Sequence, residues 1–214
     1  MDNKTIASYI DHTLLKAVAT WEQIESLCEE AVTYQTASVC IPPNYIKRVK
    51  DKYGDRLPVA TVIGFPLGYE STPAKICETE TALADGADEI DMVINITDVK
   101  NGDYAAVRDE IAALKKVCGD KILKVIVETC YLTEEEKIEM CKAVTEAGAD
   151  YIKTSTGFGT AGATVEDVNL FKQYIGPNVK IKAAGGIRTK EDMEAYIEAG
   201  VSRIGCSSTK VLFE

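Results

Sequence analysis

Lys153 and Lys182 lie on two successive strand-like runs, 150–155 and 178–184, while Asp91 lies on the run 88–94 and Lys124 and Glu128 on 121–128. On each run these ionisable residues share one parity, and strand side chains alternate, so all of them are expected on one face. A single lysine in such a place reads best as an exposed edge charge. Four consecutive strands with ionisable groups on one parity read better as a cluster, and buried lysine is tolerated only when paired or neutral. A free lysine has a pKa near ~10.4, so at neutrality roughly one in a few thousand is a nucleophilic amine. A second ammonium at ~4 Å disfavours the charged form by about 4 kcal/mol at an effective dielectric of ~20, or about three pKa units. Lys153 beside Lys182, with Asp91 to move protons, therefore points to Schiff-base chemistry on a carbonyl substrate.

Turns rich in glycine and serine follow the same strands. Gly157-Phe158-Gly159-Thr160-Ala161-Gly162 matches G-x-G-x-x-G, but a dinucleotide site calls for an acidic residue about 20 residues later. Lys180 and Lys182 stand there instead, so NAD binding is rejected. Ala184-Gly185-Gly186-Ile187-Arg188 and Gly205-Cys206-Ser207-Ser208 close the next two strands. Each glycine alone could serve only its turn. Three such loops in succession, the last two after the final strands, suit the backbone amides of a phosphate site.

The elements that must position these groups recur at a regular interval. Strand-like runs fall at 37–41, 58–63, 88–94, 121–128, 150–155, 178–184 and 202–206, with a fainter one at 9–13. Three junctions repeat one pattern: Gly86 to Ile90 and Asp91, Gly148 to Ile152 and Lys153, Gly200 to Ile204 and Gly205. In each, a glycine ends a helix, the isoleucine faces the outer helices and the next residue faces the other way. Thr133, Thr164 and Thr189 precede Glu136, Asp167 and Asp192 by three residues and read as helix caps, and Thr72 before Pro73 reads as another. The expected fold is α/β, a (β/α)8 TIM barrel of eight parallel strands with eight outer helices over residues 1–214 as one domain. An open doubly wound sheet is the alternative.

With 34 acidic and 24 basic side chains the net charge is −10, which disfavours nucleic acid or an anionic membrane face as a partner. No run approaches a membrane span, and the first residues lead into no apolar signal segment. Seven cysteines with no CxxC spacing and a single histidine argue against zinc or a redox motif, so no metal and no cofactor are expected. Free thiols fit a reducing cytoplasm. Cys40, at the C-terminal end of a strand, is the more reactive thiol candidate, whereas Cys130 and Cys206 read as small buried side chains. His12 reads mainly as a hydrogen-bonded structural residue.

Lys153-Thr154-Ser155-Thr156-Gly157, Lys182 through Thr189, and Glu89-Ile90-Asp91-Met92-Val93 resemble the deoxyribose-phosphate aldolase family. The resemblance continues through Ile10–Leu15, Val39–Pro42 and Gly64–Gly68, nearly the whole chain. It implies a class I lyase that reversibly cleaves 2-deoxy-D-ribose 5-phosphate to glyceraldehyde 3-phosphate and acetaldehyde. It further implies Lys153 as the Schiff-base lysine, Lys182 as the group that lowers its pKa, and Asp91 as the proton relay. Asp11, Thr13, Cys40 and Thr154 would line the substrate. Gly157, Gly185, Gly186, Ser207 and Ser208 would hold phosphate, with Arg188 nearby. Phe158 stands where some family members have a lysine, and the chain ends in Phe213-Glu214 without the C-terminal tyrosine of others. Small sugar phosphates and aldehydes are the expected partners, with a homo-oligomer possible. A barrel aldolase for another sugar phosphate and a non-catalytic sugar-phosphate-binding barrel are the alternatives.

Overall fold

The computed structural model describes residues 1–213. Eight strands, β1 (Ile10–Thr13), β2 (Ser38–Ile41), β3 (Val59–Ile63), β4 (Glu89–Val93), β5 (Ile122–Ile126), β6 (Tyr151–Lys153), β7 (Lys180–Ala184) and β8 (Arg203–Cys206), pair in chain order, and β8 returns to β1. Every pairing is parallel, so the sheet closes and the open doubly wound alternative is excluded. Asp91 lies opposite Lys124 and Lys153 opposite Lys182 in the ladder. Closure aims one parity of every strand at the barrel axis and the other at the helices. Ile90, Ile152 and Ile204, the isoleucines of the repeated junction, are fully buried in the outer core. Each such burial is worth about 1.5–3 kcal/mol, which fixes the register and with it the inward residues.

Helices α1 (Asn3–Ala7), α2 (Trp21–Tyr34), α3 (Ile46–Tyr53), α4 (Thr72–Ala84), α5 (Ile96–Lys100), α6 (Tyr104–Cys118), α7 (Glu134–Glu146), α8 (Val165–Tyr174) and α9 (Lys190–Ala199) surround the strands. The expected alternation of eight strands and eight helices is modified at three points. A short α1 precedes β1, two helices share the β4–β5 crossover, and β8 is followed only by a 3-10 turn, Thr209–Leu212. The α4 cap is also displaced by one residue: Ser71 is the N-cap and Thr72 already the first helical residue. Pro73 then occupies the second position, where its missing N–H is equally harmless.

The interior has two unlike halves. On one side Cys40, Ala60 and Val62 from β2 and β3 pack with Leu15 and Phe65 in a small apolar cluster. On the other, β1 and β4 to β8 point carboxylates, lysines and an arginine at one another. The usual aliphatic filling of a barrel is thus replaced over most of the circumference by ion pairs.

At the helix ends the threonine pattern is realised. Thr133 Oγ1 accepts from the Glu136 N–H at 3.3 Å, and Glu136 Oε2 accepts from the Thr133 N–H at 2.7 Å. Thr189 and Asp192 do the same for α9, and Thr164 accepts from the Asp167 N–H. Replacing Thr133 with alanine removes one half of this exchange and is expected to lower stability by about 1 kcal/mol in urea unfolding. A change within a few tenths of zero would show that the cap is not what anchors α7.

Candidate active site

The centre of the site is a single carboxylate oxygen. Asp91 Oδ2, on β4, accepts from Lys153 Nζ at 2.8 Å and from Lys182 Nζ at 2.6 Å. Its other oxygen accepts from Lys124 Nζ at 2.7 Å. Lys182 also donates to Asp11 Oδ2. Asp11 in turn receives Arg203 Nη1 at 2.5 Å and Ser38 Oγ at 2.8 Å. Below these, Glu89 receives both guanidinium nitrogens of Arg203 at 3.1 Å and lies 2.5 Å from Lys124 Nζ. Apart from the edge of Arg203, these groups are buried.

Lys153 differs from the others in its surroundings. It is 3% exposed and lines an open cavity of about 430 Å³, whereas Lys182 and Lys124 have no exposure and do not reach it. Burial pushes the Lys153 amine below the usual lysine value; Asp91 opposes this, and the Lys182 ammonium adds to the depression. Burial likewise acts to lower Lys182 and Lys124, but there the carboxylates win. Asp11 and Asp91 hold Lys182 above its ordinary value, and Asp11, Asp91 and Glu89 hold Lys124 well above it. The Asp91 carboxyl would be raised by burial, yet Lys124, Lys153 and Lys182 carry it well below the carboxylate range. The result is one amine poised to lose its proton beside a fixed ammonium and a fixed carboxylate. Sequence reasoning assigned the depression to Lys182 alone; burial is the larger cause.

The cavity lies at the C-terminal ends of the strands. Thr13, Gly157, Gly185, Gly186, Arg188 and Ser207 line it together with Lys153. Four of the expected substrate residues are elsewhere. Asp11 is fully buried inside the ionic network and does not line the cavity. Thr154 Oγ1 donates to the Ala184 carbonyl at 3.2 Å and accepts from the Ala184 N–H at 3.1 Å, so it pins β6 to β7. The Ser208 N–H donates to Cys206 Sγ at 3.2 Å. Cys40 is fully buried, and burial pushes its thiol up. His12 is held between Glu30 and Thr209, each at 2.8 Å, in a structural role.

The glycine loop after β6 lines the cavity at Gly157 and is also shaped by close approach. A Cβ on Gly162 would lie 2.2 Å from the Gly185 carbonyl oxygen, so the β6 and β7 loops interlock at a point where only glycine fits. Glu128, expected on β5, lies past its end in a left-handed conformation with φ +54. From there its carboxylate accepts from the Thr156 N–H at 3.1 Å and from Thr156 Oγ1, fixing the loop at the cavity wall. Phe158 packs edge-on against Phe65 with ring centroids 5.3 Å apart.

Three participants escaped the sequence reading. Lys16, in the loop after β1, lines the cavity and brings a cation to it in addition to Arg188. Nothing in the strand pattern marks it. Strand parity could have found Glu89 and Arg203, since they share the parity of Asp91 and Gly205.

A family model described as DeoC/LacD family aldolase matches residues 5–208. A deoxyribose-phosphate aldolase of Clostridium botulinum is 66% identical over 207 residues, covering 97% of this chain and 94% of the relative. Its counterpart in Clostridioides difficile is 56% identical over 205 residues, covering 96% and 94%. Among solved structures, a deoxyribose phosphate aldolase from Aeropyrum pernix, described as tetrameric, matches with a TM-score of 0.92 at 32% identity, covering 99% of this chain and 91% of that one. With the barrel and its lysine-lined cavity, these matches show that the chain belongs to the DeoC/LacD family of aldolases.

Proposed function

We propose that residues 1–214 act as one barrel domain that reversibly cleaves 2-deoxy-D-ribose 5-phosphate to glyceraldehyde 3-phosphate and acetaldehyde through a Schiff base on Lys153. The observation that carries this function is the position of Lys153: its amine faces the cavity while sharing Asp91 Oδ2 with the buried Lys182 ammonium. The relatives' substrate has an aldehyde for that amine and a phosphate for the far end of the cavity. There Gly157, Gly185, Gly186 and Ser207 line the wall, and Lys16 and Arg188 supply positive charge. Lys16 thereby takes up the cationic role that Phe158 leaves unfilled.

Neutral Lys153 attacks C1 of the sugar, and loss of water from the carbinolamine gives an iminium. The C2–C3 bond then breaks, because only there do the fragments hold two and three carbons. Its electron pair moves toward the iminium nitrogen to form an enamine, while the C3 hydroxyl gives up its proton as C3 becomes the aldehyde of glyceraldehyde 3-phosphate. A water held at Asp91 carries that proton. Because its neighbours keep Asp91 ionised, the carboxylate relays protons along a chain ending at Lys182 instead of storing them. Protonation of the enamine at C2 and hydrolysis of the resulting iminium release acetaldehyde and restore the amine. The iminium is itself the electron sink, so the sequence of steps calls on no metal or organic cofactor.

Among the described residues no helix is long and apolar enough to cross a membrane. All seven cysteines are unpaired, which fits a reducing cytoplasm. Assembly with further copies of the chain is part of the proposal, on the precedent of the tetrameric relative.

Borohydride treatment with acetaldehyde is expected to add one reduced two-carbon unit, located at Lys153 by mass spectrometry. Lys153→Leu should lose both the adduct and turnover of deoxyribose 5-phosphate while keeping its thermal unfolding cooperative. An adduct elsewhere, or cleavage that survives the substitution, would overturn the assignment.

Lys182→Leu tests the electrostatics. Removing that ammonium leaves Asp91 and Asp11 less compensated, so their field favours the protonated form of Lys153. The neutral fraction at a given pH falls, and the rising limb of kcat/KM should move up by about one pH unit or more. The loss of proton transfer should also lower kcat by about 10²-fold or more. An unmoved limb would remove Lys182 from control of the amine.

A further inference from the structure

The interior charges form a closed set that can be counted. Four cations, Lys124, Lys153, Lys182 and Arg203, contact three carboxylates, Asp11, Glu89 and Asp91. With all seven ionised, the barrel interior would hold one uncompensated positive charge in a low-dielectric space, a strongly unfavourable arrangement. Discharging one cation balances it at three against three. Arg203 cannot be that one, because guanidinium does not deprotonate in proteins. Lys124 touches three carboxylates and Lys182 two, whereas Lys153 touches one and opens onto the cavity.

We propose that Glu89 and Arg203, at the floor of the barrel and out of contact with the cavity, are positioning residues for Lys153: they complete the three-against-three set that leaves Lys153 as the surplus cation. Glu89 and Arg203 act through a ladder. The guanidinium holds Asp11 and Glu89, those two carboxylates hold Lys182 and Lys124 as ammonium ions, and these in turn occupy Asp91. The proposal rests on Lys153 being the reactive amine and extends it to groups that never meet substrate.

Among the described residues, the other titratable groups facing Lys153 make no ion pair with these seven. From β2 comes the Cys40 thiol, which burial keeps protonated, and β3 contributes only Ala60 and Val62. Tyr151, two residues below Lys153 on its own strand, faces Arg203 at 5.8 Å and the exposed Lys180 at 5.7 Å. Glu128, past β5, engages Thr156, and its field opposes loss of the Lys153 proton. Lys16 and Arg188, on the cavity wall, add positive potential on the substrate side.

The test reads the amine directly, by competitive acetylation of Lys153 with acetic anhydride against pH, quantified by mass spectrometry. It requires no turnover, so it remains informative if the sugar phosphate proves to be a different one. Arg203→Met removes a cation, lets Lys153 stay charged against three carboxylates, and should raise its titration midpoint by about one pH unit. Glu89→Gln removes a carboxylate and should lower the midpoint by a similar amount. The double variant should return toward the unmodified protein. Residues that merely hold the fold would damage stability without moving the midpoint in opposite directions, and shifts of the same sign, or none, would overturn the proposal. Should either variant fail to fold, two measurements still decide. Arg203→Lys, which keeps the charge, must keep the midpoint. Glu89→Asp, which also keeps the charge, must keep it as well, and a shift in either would overturn the proposal.

Discussion

Two lysine nitrogens converge on one carboxylate oxygen, Asp91 Oδ2, and that shared contact organises the rest of the molecule. In water two ammonium groups would separate. Here β6 and β7 are adjacent, Lys153 and Lys182 are register partners, and strand geometry holds their side chains together. The carboxylate between them is not enough to satisfy both, because it is also engaged by Lys124. One lysine is thus less well compensated than its neighbours, and the fold makes it the one beside the cavity.

The barrel accepts this arrangement because it surrounds the charges with partners. Breaking a buried ion pair costs several kcal/mol, and each member of the network has more than one contact except Lys153. The price of an ionic interior is met by the apolar layer outside it, where the outward residues of every strand pack against the helices. A reactive amine therefore depends on residues as remote as Ile90 and Ile152, since a one-residue slip in register would turn Asp91 and Lys153 outward together.

Much of this was legible in the sequence because alternation along a strand is rigid. The glycine–isoleucine junctions located Asp91 and Lys153 on the inner face without any knowledge of strand order. Parity has no hold past a strand's last paired residue. Glu128, two residues beyond the end of β5, itself adopts the left-handed conformation from which its carboxylate reaches Thr156, whereas Thr154 shares the outward parity of Ile152 and binds Ala184. Depth along the axis was equally invisible. Asp11 and Thr13 share a face, but one belongs to the buried network and the other to the cavity wall. Lys16 lies in a loop whose course depends on contacts distant in the chain, so its approach to the cavity could not be read from local pattern.

The central claim concerns which lysine carries a proton in the resting protein. Selective 13C labelling of the lysine ε-carbons, followed by NMR titration with Lys153→Leu and Lys182→Leu to assign signals, measures this without substrate. The account predicts that the Lys153 signal titrates below the ordinary lysine range, whereas Lys124 and Lys182 remain cationic throughout the neutral region. A Lys153 signal that stays cationic to the usual lysine range, or a neutral Lys182 beside a charged Lys153, would contradict it.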